Sequence, residues 1–146
     1  MLTKRMQEFL KKRTFLNVAT ASLDGKPNNV SKLLLKAESN YVYLVDYSIG
    51  RTYSNIKVNP QVSLSFFDLD KLVGYQINGP VELIEKGAEY DKIKAELTEK
   101  EISLATERII KGVATGQSHE NFEFAPPRHF VIFKVKMDEI AEVGYS

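Results

Sequence analysis

The chain contains no cysteine. Disulfides, thiolate metal sites and cysteine nucleophiles are therefore excluded. Neither sign of charge is in excess: 20 Lys and Arg stand against 19 Asp and Glu, for a formal net charge of +1. No general attraction to nucleic acid or to an acidic membrane follows from that balance. No apolar run is long enough to span a bilayer. Met1-Leu2-Thr3-Lys4-Arg5-Met6 is not followed by an apolar signal core, so the cytoplasm is the expected location. His119 and His129 are the only histidines, and the nine residues between them include two prolines. Without a His-x-x-x-His pair, no metal site is expected, and each histidine reads as a surface or packing residue. The sequence also lacks a Gly-rich phosphate fingerprint, a Gly-x-Ser-x-Gly nucleophile elbow, internal repeats and low-complexity tracts.

What is present suits one globular domain. The 146 residues are 43% apolar and 27% charged, and residues 1–146 are expected to form a single domain with a real core. Residues 3–13 read as a short amphipathic helix with Met6, Phe9 and Leu10 on one face, expected to cover one end of a barrel. Phe15–Ser22 is strand-like. Leu23-Asp24-Gly25-Lys26-Pro27 carries the Asp-Gly signal of a hairpin turn, and Asn28–Lys36 is the returning strand. Its centre, Leu33-Leu34-Leu35, is apolar on both faces, so both are expected to be covered. Tyr41–Tyr47 is a third strand, with Val42, Leu44 and Asp46 on one face. Gln61–Asp68 alternates as a half-buried strand, and Leu72–Ile84 is a long strand broken at Gly79-Pro80.

Residues 88–97 are expected to be helical. Thr98-Glu99-Lys100-Glu101 matches a capping box, so a second helix is expected from Ile102 to about Lys111, with Gly112 as its C-cap. Residues 115–127 read as loop, His129–Met137 as a clear strand and Asp138–Val143 as a further short one. The order predicts a mainly β (α+β) fold: an antiparallel split β-barrel of about six to seven strands with flanking helices.

The stretch from Asp46 to Pro60 carries the chemistry. It leaves a strand, passes Gly50, enters a short helix and stops at Asn59-Pro60. Thr52 is a candidate N-cap. The helix start then offers unpaired N–H groups beside Arg51, a natural phosphate cradle, with Lys57 further along. The plain alternative is a strand-to-helix connection with a solvated arginine. Asp46 reads equally well as a strand-end acid paired to Arg51. Tyr41, Tyr43, Tyr47, Tyr53 and Tyr75 could stack on a ring or fill the barrel.

Three pieces in this order resemble the FMN-binding split-barrel family, the pyridoxamine 5′-phosphate oxidase-like group. They are the hairpin Phe15–Lys36, Arg51-Thr52 set back from Asn59-Pro60 with Val62-Ser63-Leu64 after it, and Gln76-Ile77-Asn78-Gly79-Pro80-Val81. The resemblance implies a homodimer with FMN at its interface. It implies phosphate contacts from Arg51 and Thr52, a cofactor strand carrying Ser31, Lys32, Leu33 and Lys36, flavin contacts from Val45 and Asp46, and a cross-subunit contact near Gln76.

The sequence departs from the family where oxidases carry arginine at the start of the cofactor strand (here Ser31 or Lys32) and a second basic residue beside Arg51 (here Thr52). The C-terminal grip on pyridoxal phosphate is not found in residues 138–146. The resemblance thus implies flavin binding without implying pyridoxamine phosphate oxidation. The expected function is an FMN-dependent oxidoreductase acting on a small molecule, with a non-catalytic flavin or haem carrier or sensor, or a deazaflavin-dependent reductase, as the alternatives. No residue is required as a general acid or base, because the flavin carries the electron chemistry.

Overall fold

The computed structural model describes residues 2–115 and 129–144. Ten elements follow in order: α1 (Lys4–Lys11), β1 (Phe15–Ala21), β2 (Pro27–Glu38), β3 (Tyr41–Asp46), α2 (Arg51–Val58), β4 (Gln61–Asp68), β5 (Val73–Ile84), α3 (Ala88–Thr115), β6 (Val131–Lys136) and β7 (Glu139–Gly144). The chain divides into two compact units, Met1–Glu85 with Phe130–Ser146, and Lys86–His129.

The first unit is an antiparallel barrel. Its strands run β4-β1-β2-β3-β6-β5, and pairing of β4 with β5 closes the ring, leaving β7 as an extra strand on β5. The β1–β2 hairpin turns at Gly25, whose φ of +84° is a conformation that glycine adopts without steric cost. Alternation sends Leu16 and Val18, Leu34, Val42 and Leu44, Leu64, Ile77, and Val131, Phe133 and Val135 into one shared core. One end is covered by α1. Thr3 caps that helix by accepting from the Met6 N–H. The Phe9 ring stands 5.4 Å from the rings of both Phe66 and Tyr75.

In β2, Leu33 and Leu34 are buried and Leu35 is half-buried, at a register shift between Leu34 and Lys36. This bulge lets three successive leucines share one strand. The expected break at Gly79-Pro80 is instead a change of partner within the continuous strand β5. Residues Val73–Asn78 pair with β7, and Val81–Ile84 pair with β6. Gly79 faces the corner between those two strands. A Cβ built there would lie 1.8 Å from the Lys136 carbonyl oxygen, so no other residue fits without backbone movement.

In the second unit the two expected helices are one. α3 runs unbroken for 28 residues. The Thr98 hydroxyl donates to the Lys94 carbonyl, 3.0 Å away inside the helix, instead of capping a new one. Gly112 lies within the helix and does not end it. A Ser/Thr-x-x-Glu pattern is compatible with a helix interior when the chain behind it is already helical. His129 is exposed. α3 still includes Thr115, the first residue of the expected loop; His119 and the rest of that loop lie outside the described residues. Among the described residues, no helix is long and apolar enough to cross a membrane.

Candidate functional site

The start of α2 opens on a groove. Arg51 is the first helical residue and is exposed. The N-cap is Gly50, which has no side chain to offer, and Ser54 is the first residue whose N–H finds an intrahelical carbonyl. The N–H groups before it therefore have no helical acceptor. Thr52, expected as the cap, lies inside the first turn. It is buried, and its hydroxyl accepts from Asn28 Nδ2 at 3.1 Å. Further links tie the helix to the hairpin: Asn55 Nδ2 donates to the Thr20 hydroxyl at 3.1 Å and Asn59 Nδ2 to the Ala21 carbonyl at 3.3 Å. Beside this turn lies a cavity of about 410 Å³ lined by Ser22, Asp24, Lys26, Pro27, Arg51 and Asn55. Lys57 stands in the last turn, its ammonium 5.2 Å from the centre of the Tyr53 ring.

Lys32 and Asp46 come together beneath this surface. Lys32 shares the inward face of β2 with Leu34, and Asp46 the inward face of β3 with Val42 and Leu44. The Lys32 ammonium lies 2.7 Å from Asp46 Oδ1, with the two side chains 10% and 0% exposed. Asp46 is thus paired to Lys32, not to Arg51.

The other residues singled out in the sequence lie on the outward face of the sheet. The Ser31 hydroxyl donates to Asn17 Oδ1 at 3.1 Å, and Gln76 Nε2 donates to the Ser63 hydroxyl at 3.3 Å. Strand register places Ser31, Asn17, Ser65 and Gln76 in one row across four strands. A second row, Leu33, Val45, Ile132 and Ile84, is apolar and buried. Lys36 pairs with Glu38 at 2.9 Å and lies 5.0 Å from the centre of the Tyr43 ring. The structure therefore separates the nine candidates. Arg51 lines the groove, and Ser31, Leu33, Lys36, Val45 and Gln76 are spread over the outward face. Lys32, Asp46 and Thr52 sit inside.

A family model described as pyridoxamine 5′-phosphate oxidase matches residues 2–143. The chain belongs to the pyridoxamine 5′-phosphate oxidase family. No curated protein matches it. Among solved structures, HupZ of Group A Streptococcus is similar over 100% of this chain and 97% of its own, at 20% identity and a TM-score of 0.71. HutZ, the heme storage protein from Vibrio cholerae, is similar over 98% of this chain and 94% of its own, at 18% identity and a TM-score of 0.65. A pyridoxamine 5′-phosphate oxidase-related, FMN-binding protein from Nostoc punctiforme is similar over 94% of this chain and 78% of its own, at 14% identity and a TM-score of 0.58. These likenesses extend the pyridoxamine 5′-phosphate oxidase fold across the whole chain.

Two features of this family member were not read from sequence. One is the Lys32–Asp46 pair, although its signal was present: both residues share alternation parity with leucines of the barrel interior. The other is the set of amide side chains joining α2 to the hairpin. Asn28, Asn55 and Asn59 carry no periodic signal, because their partners are fixed only by the tertiary fold.

Proposed function

We propose that this protein binds FMN, with the phosphate at the first turn of α2, and acts as a flavin-dependent oxidoreductase. The observation that carries the reading is the uncapped helix start, where exposed Arg51 opens on the groove. A phosphate monoester carries close to two negative charges and three acceptor oxygens. Helix N–H groups and a guanidinium that grips two oxygens at once match that demand. The donor chemistry fits, and Arg51 makes no ion pair among the described residues. Lys26 and the hydroxyl and amide of Ser22 and Asn55 line the same space, with Asp24 the one carboxylate there.

Ser31, Lys36 and Gln76 would hold the rest of the cofactor on the outward sheet face, the polar row orienting it by hydrogen bonds. Leu33 and Val45 are already buried within the chain and would back the site instead of touching the cofactor. When bound, the flavin supplies the hydride and electron chemistry. A second copy of the chain completes the groove, with Gln76 reaching across. Family membership and the FMN-binding Nostoc punctiforme relative support this reading.

The absorbance spectrum of the purified protein tests it, followed by mass identification of the released ligand. Flavin bands with FMN released are expected, together with tighter binding of FMN than of riboflavin in titration. Equal affinities would remove the phosphate site. A haem spectrum would favour a carrier, as the name of the Vibrio cholerae relative suggests. Release of a deazaflavin would favour a reductase using that cofactor. Turnover with NAD(P)H then separates enzyme from carrier.

A further inference from the structure

The Asp46 carboxylate is used unevenly. Its Oδ1 accepts four hydrogen bonds: Lys32 Nζ at 2.7 Å, the Ser48 hydroxyl at 2.9 Å, the Ser48 N–H at 3.2 Å and the Ile49 N–H at 3.4 Å. Lys32 Nζ also donates to the Ser48 hydroxyl at 3.0 Å. Oδ2 is buried without a partner among the described residues. The two backbone bonds make a local turn around the aspartate side chain. They hold Ile49 at a φ of +46°, a left-handed conformation that β-branched residues avoid. Gly50, which could adopt it freely, stands one residue later at the N-cap. The turn closes at Gly50, directly before Arg51, so its shape sets the direction in which the chain enters α2.

We propose that Asp46 and Lys32 are positioning residues, a buried clamp that holds the Tyr47–Gly50 turn and thereby aims Arg51 and the first-turn N–H groups at the groove. The proposal rests on the phosphate reading above and gives two of its candidate ligands a different task. Lys32 already donates to Asp46 and Ser48 and is nearly buried. Turning it toward an anion would strand the Asp46 charge in the barrel interior. Ser48 joins both halves of the clamp, because its hydroxyl lies between the ammonium and the carboxylate.

Three variants test this: Asp46→Asn, Asp46→Ala, and Asp46→Ala combined with Ile49→Gly. The first readout is amide hydrogen exchange at Ser48 and Ile49 in the apo protein. The second is FMN affinity of the folded fraction. In the parent, both amides are expected to exchange slowly. Asp46→Asn keeps the oxygen that accepts from the turn, so its melting temperature falls while affinity stays within about threefold of the parent. Asp46→Ala loses amide protection and binds at least about tenfold more weakly. Adding Ile49→Gly restores much of that affinity, because glycine enters the left-handed region without the clamp.

Fast exchange of both amides in the parent would overturn the proposal. So would parent-like binding by Asp46→Ala, or an Asp46→Asn variant that keeps both amides protected yet loses as much affinity as Asp46→Ala, because affinity would then not follow the turn. If Asp46→Ala does not fold, the parent's exchange rates and the Asp46→Asn affinity still decide. If the parent binds no FMN, the functional reading fails by itself, and protection of the two amides with its loss in Asp46→Ala still tests the clamp.

Discussion

Arg51 and Lys57 carry the same charge on the same helix, but only Arg51 stands in its first turn. The helix dipole favours an anion there and gives little help one and a half turns on. Arg51→Ala is expected to weaken FMN binding by about 2 kcal/mol, roughly thirtyfold, and Lys57→Ala far less. Titration of both variants checks this, with apo melts as the control. Arg51 is exposed, so its loss should change stability by no more than about 0.5 kcal/mol. Lys32 should behave in the opposite way. Lys32→Met leaves the fully buried Asp46 carboxylate without its cation, and removing one partner of such a pair costs roughly 3–5 kcal/mol. Urea unfolding would show a lower midpoint, and a loss below about 1 kcal/mol would mean that the pair is solvated like a surface one.

At the scale of elements, Gly79 makes the sharpest demand. The Lys136 carbonyl oxygen occupies the place of a Cβ, and this neighbour is backbone, which cannot rotate away. Gly79→Ala is expected to cost about 3 kcal/mol or more, above the usual overpacking range, as measured by denaturant midpoint. The Gly-Pro pair was legible in the sequence as an irregularity. That it marks an exchange of partners was not, because β6 and β7 are supplied by chain more than fifty residues away. Strands with strict alternation, such as Gln61–Asp68, were legible to the residue, since burial on one side is written into every second position. The capping-box pattern at Thr98 misled, because a cap is defined by the conformation of the residue before it, and composition does not report that. In the site, Arg51 at a helix start was legible from spacing. The true cap was not, since Gly50 and Thr52 both suit that role and the buried contact with Asn28 decided between them.

For the whole molecule, the proposed second copy is the open quantity. A monomer of 16.6 kDa is expected to scatter light as a particle of twice that mass at micromolar concentration, in keeping with two-fold pairing as the commonest symmetry. A monomeric mass would place the cofactor on one chain alone and remove Gln76 from the cross-subunit role.

The extra strand β7 bears on the protein's behaviour in concentrated solution. It covers the side of β5 formed by Val73–Asn78, a segment without a single charged residue. In its place β7 presents Glu139 and Glu142, both exposed, at the margin of the sheet. Charge along a free edge discourages strand-to-strand addition between molecules. β7 is therefore expected to limit strand-to-strand addition, exchanging a neutral edge for an acidic one. Only Ile140 of this strand packs against the core, so ending the chain after Asp138 should leave the barrel folded and make it sticky. Turbidity on warming is expected to rise with protein concentration in the shortened protein. Adding one lysine to the uncovered edge strand β5, as in Gln76→Lys, is expected to suppress it.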